Sequence, residues 1–109
     1  MKKLVLLFFL SIAILAGSVT ISHAQTFGPV FLVEYNTDRQ GGDIRSGFPV
    51  GNVGQCMNEC ASSSQCRAFT FVDVNQQPPN YNNNRPLCWL KRSVPGKRRN
   101  SGMITGVRQ

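Results

Sequence analysis

The sequence predicts an α+β fold in which one short helix packs against sheet and disulfides tie the two together. Three observations carry this reading. Residues 52–62 have the cap and apolar period of a helix, with Cys56 and Cys60 on it. Alternating runs rich in β-branched and aromatic residues lie on both sides of that stretch. Two more cysteines, Cys66 and Cys88, follow where each can be joined back to the helix.

The chain opens with Met1-Lys2-Lys3 and an apolar run from Leu4 to Gly17, then Ser22-His23-Ala24. A charged start, an apolar stretch and small residues at the cleavage positions are the marks of a secretory signal, here 1–24, cleaved after Ala24. The alternative, a retained membrane anchor, needs about 18 to 20 uninterrupted apolar residues, more than are present. Leu15-Ala16-Gly17-Ser18 resembles a lipoprotein box, but Ser18 stands where the lipidated cysteine must be. No stable membrane anchor is expected.

Residues 25–109 form one small domain of 85 residues. A chain this short buries only about 60% of its unfolded surface, and covalent links commonly supplement such a core. Four cysteines in an exported chain supply two disulfides. Without Lys2 and Lys3, ten basic side chains face five acidic ones, a net charge of +5, which favours acidic partners in general. Cleavage also removes His23, the sole histidine. No imidazole remains for a triad, a general base or a metal, and pairing of the cysteines leaves no thiol nucleophile. Scattered carboxylates are the remaining conventional acid–base chemistry, so the chain reads as a non-enzyme without a cofactor.

Gln25 to Val30 leads into a first strand, Phe31 to Tyr35. Asn36 to Asp43 is turn-rich, with glycines for positive φ and Asn/Asp for local side-chain bonds. Asp38 and Asp43 lack the dense spacing of a calcium loop, so turn formation is the better account of them. Ile44 to Val50 is extended. Asn52 then caps a helix, its side-chain oxygen accepting an otherwise unpaired N–H, and Gln55 completes a capping-box pattern. Val53, Cys56, Met57 and Cys60 fall on one face of it.

Of the three possible cysteine pairings, Cys56 with Cys60 would only staple the helix to itself. Cys60 sits in the last turn, where the short 61–65 segment can double back to bring Cys66 beside it. Cys56, one turn or about 5.4 Å earlier, is left facing a more distant strand that holds Cys88. The expected bridges are Cys60–Cys66 nested inside Cys56–Cys88. A four-cysteine zinc site is the rival, and C-x₃-C-x₅-C-x₂₁-C lacks the paired C-x₂-C knuckles such sites use.

Arg67 to Val74 alternates as a central strand. Asn75 to Pro86, rich in Asn, Gln and Pro, reads as a mobile loop. Leu87 to Lys91 is the next strand, with Cys88 and Leu90 toward the helix and Trp89 on the opposite face. Trp89 there is either covered by a loop or a ligand contact, and cover is the commoner fate of an aromatic body. Ser93 to Gly102 is a basic loop, and Met103 to Val107 closes the sheet.

Lys91, Arg92, Lys97, Arg98 and Arg99 place half the basic charge of residues 25–109 within nine residues containing no acid. Such a run can engage a sulfated or phosphorylated glycan or an acidic protein surface, or simply keep a surface loop solvated. Sparse interleaved aromatics and the export signal argue against nucleic acid. The Asn-rich loop around Tyr81 is a second candidate surface, against the plainer reading of a linker between strands.

Together, Asn36-Thr37-Asp38 with Gly41-Gly42-Asp43, Cys56-x₃-Cys60-x₅-Cys66-Arg67-Ala68-Phe69-Thr70, Cys88-Trp89-Leu90-Lys91 and Ser101-Gly102…Gly106-Val107 resemble the PAN/apple domain, in its compact four-cysteine form. The likeness spans residues 31–108. It implies a small disulfide-stapled domain with one helix packed on a curved antiparallel sheet, and carries the same pairing onto Cys56 with Cys88 and Cys60 with Cys66. It also implies a non-catalytic module binding a protein or carbohydrate, a type usually appended to larger proteins, whereas this chain reads as a lone domain. Relatives richer in cysteine bridge their termini; without those cysteines the terminal strands are expected to fray more readily. The expected role is an exported, secreted or periplasmic binder of an acidic extracellular or cell-surface protein or glycan. The weak candidate contacts are Lys91, Arg92, Lys97, Arg98, Arg99, Tyr81 and Trp89. The alternative is a cationic secreted effector, acting as an inhibitor or on anionic membranes. The helix is too short, and its apolar side too committed to the core, to favour membrane action.

Overall fold

The computed structural model describes residues 28–78, 81 and 83–109. The expected leader, 1–24, lies outside the described residues, as do positions 79, 80 and 82 of the Asn-rich loop. Five strands and one helix follow in the order β1 (Phe31–Asp38), β2 (Phe48–Pro49), α1 (Val53–Ala61), β3 (Ala68–Val72), β4 (Leu87–Lys91) and β5 (Arg98–Arg108). They form one antiparallel sheet ordered β1-β5-β3-β4-β2. The strand that closes the chain thus lies inside the sheet, between β1 and β3.

Asn52 is the N-cap of α1, with extended backbone and its Oδ1 accepting from Gln55 N–H at 2.9 Å. The Gln55 side chain returns to the N–H of Gly51 rather than Asn52, a capping box displaced by one residue. At the far end the Ser62 N–H donates to the Asn58 carbonyl at 3.0 Å. The apolar side of α1 buries Cys56 and Cys60 against Phe69, Phe71, Cys88 and Leu90. Phe31 meets Phe69 edge-to-face at 5.6 Å across this core.

Two bridges anchor the helix. Cys56–Cys88 joins α1 to β4, and Cys60–Cys66 closes the turn after the helix. Arg108, at the end of β5, adds a polar clamp there. Its Nη1 donates to the carbonyls of Cys60, Cys66 and Ser63 at 3.1, 3.0 and 3.3 Å, adding to the backbone bonds that the Cys60 and Ser63 carbonyls already accept.

Several boundaries differ from the sequence reading. The first strand runs on to Asp38 past an irregularity in which Asn36, at φ 53°, stands opposite residues 100–103 of β5, which β1 leaves unpaired, after which Thr37 pairs with Arg99 and Asp38 with Arg98. That pairing recruits Arg98 to Gly102 into β5, so only part of the supposed basic loop is loop. The central strand is confined to Ala68–Val72; residues 73–75 turn away, with Asn75 at φ 65°. Ile44 to Val50 contributes just the two-residue β2, supported by Ile44 N–H to Leu90 O at 2.8 Å and Val50 N–H to Pro86 O at 3.0 Å. In place of a featureless loop, the described residues of 75–86 are tied together by Asn83, whose side chain accepts from Gln77 N–H and donates to the Gln77 carbonyl.

Candidate functional site

All five residues of β3 are buried, so both faces of the sheet are covered. With Phe69 and Phe71 on the helix side, alternation puts Thr70 and Val72 on the other, beside Trp89 and Lys91 of β4 and Met103 and Thr105 of β5. Residues 38–43, residues 76–78 and Tyr81 rise over that second face. Together they bound a cavity of about 420 Å³, within the range of small-ligand sites.

Trp89 forms one wall. Its Nε1–H donates to Gln77 Oε1 at 2.7 Å, and the Tyr81 ring meets it edge-to-face at 5.8 Å. Gly47 lies so close that a Cβ there would collide with the indole. The indole is therefore held from three directions by a loop, a ring and a backbone, and its position is set before any ligand arrives.

Thr105 Oγ1 donates to the Thr37 carbonyl at 2.9 Å, and the Thr70 and Thr105 hydroxyls are 3.1 Å apart. A hydroxyl has one proton, so Thr70 is the donor to Thr105. Lys91 is 3% exposed, its Nζ 2.6 Å from Asp43 Oδ1 and 3.0 Å from the Gly41 carbonyl. Asp38 is also buried, at 8% exposure. Its carboxylate makes no hydrogen bond with any described residue; the nearest cation is Arg98 Nε at 3.9 Å.

The basic run is divided by this geometry. Lys91 is an interior ion-pair partner, not a solvent-facing charge, because the 41–43 turn folds over the end of β4 and presents Asp43 and a carbonyl to it. Arg98 lines the cavity from the start of β5. Arg92, Lys97 and Arg99 are exposed and outside the lining. Arg92 Nη1 donates to the Asp43 carbonyl at 3.0 Å, while Lys97 stands 3.8 Å from Glu34.

Tyr81 and Trp89, read from sequence as separate candidates, touch one another in the cavity wall. Gln40, Gln77 and Asn100 also line it, as does Asp38, which the sequence suggests only as a calcium ligand or turn residue. One signal for Gln77 was available: a partly buried tryptophan needs an acceptor for its N–H, and the amide-rich loop is the nearest supply in the sequence. The two aspartates raised as calcium ligands point to different work here, Asp43 to Lys91 and Asp38 to the cavity lining.

A family model described as PAN domain matches residues 37–91, just over half of the chain. The match takes in α1, both disulfides, strands β2 to β4 and much of the cavity wall. No curated protein matches the chain.

Proposed function

Since the chain belongs to the PAN domain family, we propose that it is an exported binding module that recognises a protein or carbohydrate through the cavity on the helix-distal face of its sheet. Modules of this family are generally protein- or carbohydrate-binding and typically non-catalytic. The observation that carries the reading is a concave site of about 420 Å³, with a fixed aromatic wall and polar groups converging on it. Secretion or a periplasmic location fits the leader-like residues 1–24, and two disulfides suit an oxidising compartment. Arg92, Lys97 and Arg99 lie outside the cavity and serve as surface charge, drawing the module toward acidic cell surfaces without making the specific contacts. That division favours the binding module over the cationic effector, since three of the five cations in the run, Lys91, Lys97 and Arg98, lie within 4 Å of carboxylates.

The test is a glycan array together with a pull-down from native cell surfaces, comparing the wild type with Tyr81→Ala and Gln40→Ala. Both residues are exposed at the cavity rim, so neither change should lower the melting temperature much. Loss of the captured ligand in both variants supports the cavity as the site. Undiminished capture by both overturns it.

A further inference from the structure

We infer that the cavity takes an uncharged sugar residue, an inference that rests on the cavity being the ligand site. Among the described residues its charged lining consists of two carboxylates, Asp38 and Asp43, and two cations, Lys91 and Arg98. Each carboxylate lies within 4 Å of one of the cations, so the lining has no net charge to offer a ligand. A ligand carboxylate or sulfate would lose hydration against Asp38 and Asp43, and a ligand amine against Lys91 and Arg98. Bringing an unpaired charge into such a site is the costliest form of burial.

Asp38 indicates what is recognised instead. It is nine-tenths buried, lines the cavity and has no hydrogen-bond donor among the described residues. A carboxylate only accepts, so its complement is a ligand with O–H or N–H groups and no negative charge. Gln40, Gln76 and Asn100 add amides that both donate and accept, which matches hydroxyls that do the same. Trp89 and Tyr81 with Val72 and Met103 provide apolar surface. A sugar ring combines adjacent hydroxyls, an apolar C–H face and zero charge in one compact body. An extended peptide carries N–H and C=O groups too, but its length is poorly matched to a small concavity bounded by residues 38–43, residues 76–78 and Tyr81.

Trp89 is the only tryptophan in the chain, so intrinsic fluorescence reports on this cavity directly. The probes are neutral trisaccharides of glucose, mannose, galactose and N-acetylglucosamine, a galacturonic acid trisaccharide, and heparin. At least one neutral trisaccharide should shift Trp89 emission saturably, with an affinity unchanged between about 0.05 and 0.5 M salt. The uronic acid probe should bind at least about tenfold more weakly. Asp38→Asn should weaken the neutral ligand by about tenfold or more, and Asn100→Ala, a milder change at the rim, should weaken it too with an unaltered melting curve.

Four results would overturn the inference. If the anionic probes move Trp89 emission more strongly and lose affinity with salt, the ligand is acidic, and the cavity still stands as the site. If a captured protein shifts Trp89 emission and Asp38→Asn abolishes its capture, the ligand is a protein at the same site. Failure of every neutral trisaccharide to shift emission also overturns it. Sugar binding that is indifferent to both Asp38→Asn and Asn100→Ala removes the cavity itself, and the proposed function with it.

Discussion

Lys91 Nζ lies 2.6 Å from Asp43 Oδ1, and this contact, from a lysine 3% exposed, fixes the 41–43 turn over the end of β4. The residues are 48 apart in sequence, yet the pair decides the shape of the cavity rim. Replacing Lys91 with Met keeps the side-chain length and leaves Asp43 without its cation. Because Asp43 is a third exposed and can rehydrate, the expected cost is about 2 kcal/mol, below that of a fully buried pair. Thermal unfolding measures it. Heparin retention of Lys91→Met should match the wild type, whereas Lys97→Ala with Arg99→Ala should elute at lower salt with little change in melting.

Gly106 sits opposite Phe69 in the β3–β5 ladder, where an added Cβ would strike the phenyl ring. Gly106→Ala should therefore destabilise the domain by about 2 to 3 kcal/mol through overpacking. Adding Phe69→Leu should recover part of that loss in a double-mutant cycle followed by denaturant unfolding, because the smaller side chain vacates the space. Equal and additive losses would show that the ring is not what the methyl meets.

What was legible in the sequence is what local chemistry specifies. Asn52 before an i, i+3, i+4, i+7 apolar set is sufficient to place α1, and a period of two separates Cys88 and Leu90 from Trp89. The cavity was not legible, because its parts are brought together by tertiary pairing. Asp38 reaches it only because β1 continues past the register shift between Tyr35 and Thr37 and pairs with Arg98. Gln77 and Trp89 meet through a loop that has no apolar period to read. A run of basic residues reveals how many charges exist; it does not reveal that Lys91 and Arg98 face carboxylates while Arg99 faces solvent. Gly106 is legible in part, since a glycine inside a strand often marks close approach of another group, here the Phe69 ring.

The two disulfides should differ in weight. Cys56–Cys88 closes a separation of 32 residues and Cys60–Cys66 one of 6. Loop entropy assigns them nearly ~4 and about 2 kcal/mol. Arg108 also grips the shorter loop through three carbonyls, so Cys60→Ser with Cys66→Ser should be the milder pair, and adding Arg108→Ala should cost more there than it does with the bridge intact. Cys56→Ser with Cys88→Ser should lower the denaturant midpoint by the larger amount. A reversed order would mean that the short loop, and not the tie between α1 and β4, governs stability.

Glu34 and Arg39 form a two-pronged pair, with Nε and Nη2 donating at 2.8 and 2.9 Å, while Arg39 Nη1 donates to the Pro95 carbonyl at 2.6 Å. The pair thereby joins β1 to the segment before β5. Hydrogen bonding from Arg39 outweighs the opposing effect of burial and holds the Glu34 carboxyl below its ordinary value of about 4.5. A carboxyl whose pKa is depressed by folding stabilises the fold above its unfolded value, and that contribution disappears as pH falls through the folded value. Glu34→Gln should cost about 1 kcal/mol at neutral pH, since the amide oxygen can still accept from Arg39. The gap between wild type and variant should stay constant above about pH 5 and shrink below about 4.5, as the wild-type carboxyl takes up its proton. Chemical denaturation of both proteins across that range measures the gap. A difference that persists undiminished into acid would mean that Glu34 acts through packing and not through its charge.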